Sequence, residues 1–187
     1  MVRWWNIRKA IIEDKPGILH IAHQYGKELG YVHPVALAEH IQRGTVLVAE
    51  RGNTLLGFVD YHQPQRGENK GFSAIYHLAV EKRQREQGIG RALLYAVPCP
   101  IRLKCTVDND RANAFYKDAG MMPYRVIPGK KRDLNLWQMN VLFITVAGDN
   151  KRYAESIRRS GNAYGCRHDD PPKDYPFMLE GTVSMRS

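Results

Sequence analysis

The sequence has few cysteines and no long apolar run, and both absences narrow what the chain can be. Cys99, Cys105 and Cys166 are the only cysteines in 187 residues, and none has C-x-x-C spacing. Three thiols cannot all pair within one chain, so neither a disulfide framework nor a zinc knuckle is expected. A reducing compartment fits. The cluster "CRHDD" (Cys166, His168, Asp169, Asp170) matches no standard metal spacing, so no metal is expected. No apolar stretch reaches the roughly 18 residues a membrane span needs. The opening "MVRWWNIRKAIIEDK" breaks every apolar stretch with charge, unlike a signal peptide. A cytoplasmic protein with no membrane partner is therefore expected. There are no internal repeats and no low-complexity tract.

What is present is ordinary globular composition, 43% hydrophobic and 25% charged, with a formal net charge of +9. Residues 1–140 hold 21 Lys or Arg against 13 Asp or Glu, so nearly all of that surplus lies there. Such a balance suits an anionic ligand, nucleic acid or an acidic partner, or simply a basic soluble surface.

The pattern reads as strands at "WWNIRKA" (4–10), "TVLVAERG" (45–52), "TLLGFVDYH" (54–62), "FSAIYHLAV" (72–80), "IRLKCTV" (101–107), "MPYRVI" (122–127) and "LNLWQMNVLFITVA" (134–147). Helices are expected over 13–30, opened by Asp14 and Pro16 and closed by Gly30, and over 33–44. A third should run from about 88 to 97, stopped by Pro98. A fourth should run over 108–120, capped by Asp108 or Asn109 and ended by Gly120. Trp4 and Trp5, adjacent in a strand, should face opposite sides. This order describes a mixed α/β domain over 1–140 with early hairpins and late crossovers. Residues 141–187 read as a C-terminal extension or partial second domain. "VLFITVA" suits a buried strand there and "NKRYAESIRRSG" a helix.

The chemistry concentrates at "RQREQGIGRALL" (83–94), where a strand should become a helix. A P-loop would need a Lys followed by Ser or Thr, and a dinucleotide fingerprint would need glycine where Leu93 stands. The remaining physics is that of an anion site. Gly88 and Gly90 let the backbone approach a ligand, and successive amides at a helix start point at it. Arg85 and Arg91 add charge, and a diphosphate is the natural occupant.

The segment resembles the acetyl-coenzyme A loop of the GNAT N-acetyltransferase superfamily: Arg or Gln, two residues, Gly, one residue, Gly or Ala. Arg85, Gly88 and Gly90 fill it. Downstream, "NDRANAFYKDAG" is similar to a second family pattern through Asn109, Ala112, Phe115, Tyr116 and Gly120. The resemblance spans about residues 4–140 and implies a GNAT-like fold with acetyl-coenzyme A as cosubstrate. It implies that Arg85, Glu86, Gln87, Gly88, Ile89, Gly90 and Arg91 hold the diphosphate. Backbone groups of Leu78, Ala79 and Val80 would bond the acetyl carbonyl and pantetheine arm, and Asn109 would contact the pantetheine. Tyr116 would be the general acid for the leaving thiolate.

Two departures stand out. The strand before the loop carries no carboxylate to serve as base, leaving His77 as the candidate; Glu81 is the nearest acid. The helix after the loop is cut short by "VPCP". Tyr31, His33 and His62 are expected to contact the acceptor. That acceptor would be a small-molecule, peptide or nucleic-acid-linked amine, taken by a monomer or homodimer. A nucleic-acid-binding or nucleobase-modifying protein on the same fold, and a non-catalytic coenzyme A-binding module, are the alternatives.

Overall fold

Seven segments pair into one sheet, the longest of them, 54–62 and 73–80, rich in β-branched and aromatic residues. In the computed structural model, which describes residues 5–26 and 28–140, these are β1 (Asn6–Lys9), β2 (Val46–Arg51), β3 (Thr54–His62), β4 (Ser73–Val80), β5 (Ile101–Thr106), β6 (Met122–Ile127) and β7 (Leu134–Met139). Their spatial order is β1-β2-β3-β4-β5-β7-β6, and β4–β5 is the one parallel pair among them. Four helices, α1 (Lys15–His23), α2 (Pro34–Gln42), α3 (Ile89–Ala96) and α4 (Asp110–Asp118), complete the expected mixed α/β order. Among the described residues, no helix is long and apolar enough to cross a membrane.

The central strands are apolar on both faces because both faces are covered. Ile18 and Ile21 of α1 and Leu37 and Ile41 of α2 pack on Val46, Val48 and Phe58. On the other face Leu93 and Leu94 of α3 meet Leu47, Val59 and Trp137. Each fully buried side chain of this size contributes about 1.5–3 kcal/mol. Trp5 packs against the second of these groups.

Several boundaries differ from expectation. The first helix ends at His23 rather than Gly30. It winds down through short-range bonds from the Gln24 and Tyr25 amides to Ile21 and Ala22, and Gly26 then turns left-handed at φ +47°. Asp14 stands at the N-cap of that helix, but its side chain makes no capping bond there. It is buried, and its carboxylate accepts from Arg8 Nη1 at 2.6 Å, Arg8 Nη2 at 3.0 Å and the Ile11 amide at 2.8 Å. At the other end of the domain Asn109, not Asp108, caps α4. The expected strand over 141–147, the helix over 150–161, the "CRHDD" cluster, the extension they belong to, and Trp4 lie outside the described residues.

Asp14 makes stability acid-sensitive. Burial works to raise its pKa, but the Arg8 and Ile11 hydrogen bonds outweigh it and hold the carboxyl below its usual range. Its contribution is therefore complete above the unfolded-state value, about 4, and is lost as pH falls through the lower native value. Asp14→Asn should cost about 2 kcal/mol in urea unfolding at neutral pH. That gap should close as pH falls below the unfolded-state value, and a pH-independent gap would contradict this role.

Candidate active site

The sheet opens where the parallel β4–β5 pair ends. β4 and β5 are in register from Ser73–Ile101 to Ile75–Leu103, and beyond that the strands part although both continue. A cleft of about 920 Å³ occupies the fork, within the range of small-molecule sites. Leu78, Ala79 and Val80 line it from β4, Cys105 and Thr106 from β5, and Asn109 and Tyr116 from the α4 side. The β4 edge facing the cleft has no β5 partner there, so its backbone groups are available.

The connection from β4 to α3 is tightly coiled. Glu86 has φ +65° and Gly88 φ +77°, both left-handed. Glycine adopts that conformation freely, whereas for Glu86 it costs roughly 1–2 kcal/mol. The first α3 bond runs from the Ala92 amide to the Gly88 carbonyl, at 3.0 Å. The amides of Gly88, Ile89, Gly90 and Arg91 precede it and donate to no group among the described residues. Four free donors at the positive end of a helix form an anion site. Gly90 has a different role from Gly88. A Cβ on Gly90 would meet Phe115 and Val80 at 3.5 Å, ordinary contact, so the fold does not demand glycine there.

The arginines of the loop have separate duties. Arg85 Nε donates to the Tyr25 hydroxyl at 2.9 Å, and its guanidinium lies 4.7 Å from the Tyr25 ring centre. The Tyr25 hydroxyl in turn donates to the Val80 carbonyl, tying the end of α1 to the end of β4. Arg91 pairs with the exposed Asp118, a contact of small energetic value. Gln87 lies outside the cleft lining and accepts from Arg51 at 3.3 Å, while Glu86 lines the cleft.

Tyr116 stands against Phe115 and Trp137, with ring centres 5.3 and 6.1 Å away. The residue is half-buried, and its hydroxyl has no hydrogen-bond partner among the described residues. Burial, and then Cys105, push its pKa well above the usual phenol value, so the phenol stays protonated at neutral pH. Burial likewise pushes the Cys105 thiol up to about 11. Asn109 spends its side-chain oxygen on the α4 cap, accepting from the Ala112 amide at 3.1 Å. Sequence reasoning missed Asn113, which docks α4. Its Nδ2 donates to the carbonyls of Thr106, Val107 and Asn109, and its Oδ1 accepts from Asn135 and Trp137. An asparagine inside a helix, where it is a poor helix former, was the available signal.

His77 is held by a residue the sequence did not mark. Asp60, 2% exposed, accepts from His77 Nδ1 at 3.2 Å and from His40 Nδ1 at 2.8 Å. Each imidazole that donates through Nδ1 keeps a lone pair on Nε2. A bulge opposite Asp60 and Tyr61 turns Tyr76 onto the same face, stacked between His40 and His62. Tyr76 lines the cleft and His77 does not. His62 joins Tyr76 in a second cavity beside the fork. Tyr31 and His33 contact each other at 5.9 Å and lie outside the lining of both cavities.

The acetyltransferase (GNAT) family model matches residues 15–121, and the chain belongs to that family. No curated protein matches the sequence significantly. Solved structures share its fold. Ard1 from Thermoplasma volcanium is 22% identical with a TM-score of 0.64, over 74% of this chain and 99% of its own. PaiA N-acetyltransferase from Thermoplasma acidophilum, solved with coenzyme A, is 18% identical with a TM-score of 0.60, over 72% and 99%. Arabidopsis thaliana Naa50, solved with the bisubstrate analogue CoA-Ac-MVNAL, is 18% identical with a TM-score of 0.61, over 73% and 99%.

Proposed function

We propose that the protein transfers an acetyl group from acetyl-coenzyme A to a primary amine by direct attack. The four unpaired amides of Gly88–Arg91 at the mouth of the fork carry this reading. They fit a diphosphate, and the cleft beyond them leads to the unpaired β4 edge. Acetyl-coenzyme A supplies an activated acetyl carbon as a thioester; the rest is done by this chain's residues. Loop amides with Arg85 anchor the diphosphate, and Leu78 and Val80 offer backbone groups along the edge, while those of Ala79 face β3. The Val80 carbonyl is already taken by Tyr25, which leaves the neighbouring groups to orient the acetyl carbonyl. Asn109 keeps only its side-chain amide free for the pantetheine.

An amine attacks only as the free base. His77, with Nδ1 on Asp60 and its lone pair on Nε2, is the proton acceptor in this scheme; because it lies outside the cleft lining, the proton reaches it through water. Tyr116 returns a proton to the departing thiolate. The test is release of free thiol from acetyl-coenzyme A with a panel of amines. Protein that binds acetyl-coenzyme A but releases thiol with none of them would leave only a binding role.

The base assignment has its own signature. His77→Gln should lower kcat/KM about 30-fold near neutral pH, with the deficit shrinking at alkaline pH as the amine deprotonates unaided. His40→Gln, on the other carboxylate oxygen, should not reproduce that pH dependence. An equal deficit at every pH would make His77 merely structural.

A further inference from the structure

We propose that the acceptor is a small amine that itself carries an anionic group, read by Arg102 and Lys104 beside the fork. This rests on the transferase reading above and adds a substrate class to it. The second cavity, about 280 Å³, shares Ile75, Tyr76, Leu103 and Lys104 with the main cleft. The two spaces therefore meet where β4 and β5 part, which is where an acceptor has to reach the thioester. Its volume suits an acceptor of a few carbon atoms.

The charge of this cavity is one-sided. Its charged lining residues are Arg102 and Lys104, with His62 beside them and no carboxylate in the wall. Both cations project from the same face of β5, while Leu103 and Cys105 between and after them turn into the core. Arg102 is fixed without being neutralised. Its Nε donates to Gln138 Oε1 at 2.8 Å, and its Nη1 donates to the Glu68 carbonyl at 2.7 Å and Asn69 Oδ1 at 3.5 Å. All three acceptors are uncharged. The guanidinium carbon lies 3.7 Å from the Phe72 ring centre and 5.1 Å from that of Tyr124. Nη2 engages no group among the described residues. The Glu68 carboxylate pairs with Arg125 instead.

An immobilised guanidinium with one free edge, next to a second cation, is pre-organised for a carboxylate or phosphate. The same arrangement repels a second ammonium on the acceptor. Specificity therefore comes from attraction of an anion at one end and exclusion of diamines.

The test uses matched acceptors: β-alanine against propylamine, O-phosphoethanolamine against ethanolamine, and putrescine as the dication. In each pair the anionic amine should have a kcat/KM at least about tenfold above its neutral partner, with putrescine lowest. The carboxylate and phosphate pairs show which anion is preferred. Lys104→Glu should collapse the anionic-to-neutral ratio at least about tenfold and favour putrescine. Acetyl-coenzyme A titration of that variant separates any effect on the donor.

Binding of N-acetyl-β-alanine to the coenzyme A-saturated protein, followed by calorimetry, supplies a readout without turnover. It should exceed that of N-acetylpropylamine and weaken in Lys104→Glu. Turnover indifferent to acceptor charge, or a ratio unmoved in Lys104→Glu, would overturn the proposal and leave the transferase standing. Charge-selective, Lys104-dependent product binding without turnover would overturn the transferase and support the anion subsite.

Discussion

Tyr116→Phe is expected to lower kcat about 100-fold while leaving the affinity for acetyl-coenzyme A unchanged. The substitution removes one oxygen and keeps the ring that packs on Phe115 and Trp137, so α4 stays in place. What is lost is the proton for the leaving thiolate. Burial raises the Tyr116 pKa, which guarantees a protonated donor but also weakens it as an acid. Each unit by which the phenol exceeds the thiol makes the transfer about 1.4 kcal/mol more uphill. The effect should therefore sit near the low end of general-acid contributions. Cys105 lines the same cleft, but its thiol is pushed up as well, so it is a poor substitute. A kcat within about twofold of the parent would assign thiolate protonation to water.

Asn113→Ala is expected to cost about 3 kcal/mol of stability. The side chain closes five contacts at once. Nδ2 reaches Thr106 at 2.9 Å, Val107 at 3.2 Å and Asn109 at 2.9 Å, and Oδ1 takes Asn135 Nδ2 and Trp137 Nε1, both at 3.0 Å. Trp137 is 4% exposed, so its indole N–H would lose its partner with little access to water. The same change frees α4 from β5 and β7 and lets Tyr116 drift from the fork. Urea unfolding of the two proteins measures the loss directly. A difference below about 1 kcal/mol would mean that water replaces the side chain at little cost.

The glycine turn and the helix start that follows it were legible because their demands are local. A strand, two left-handed positions and a helix start within ten residues leave few conformations. The α4 cap was narrowed to two residues for the same reason, and geometry chose Asn109. The grouping of His77 and His40 on Asp60 was not legible in full. Asp60 lies 17 residues from His77 and 20 from His40, and only strand pairing and the docking of α2 bring them together. The polar aspartate inside "LLGFVDYH" was the trace it left in the sequence. Alternation also misplaces Tyr76, because it assumes an unbroken period of two and the bulge opposite Asp60 adds a residue. The first helix was read too long for a tertiary reason: Tyr25 is drawn to Val80 and Arg85.

Calorimetric titration of acetyl-coenzyme A into the intact protein and into Gly90→Glu shows whether the glycine turn holds a diphosphate. Gly90 is the better position than Gly88, because its backbone does not require glycine and an added Cβ meets only ordinary contacts. A glutamate there places negative charge beside the free amides of the α3 start. The expected result is micromolar binding by the intact protein, weakened at least about 100-fold in a variant with an unchanged unfolding curve. Equal binding by both proteins, or none by the intact one, would contradict a diphosphate site at this turn.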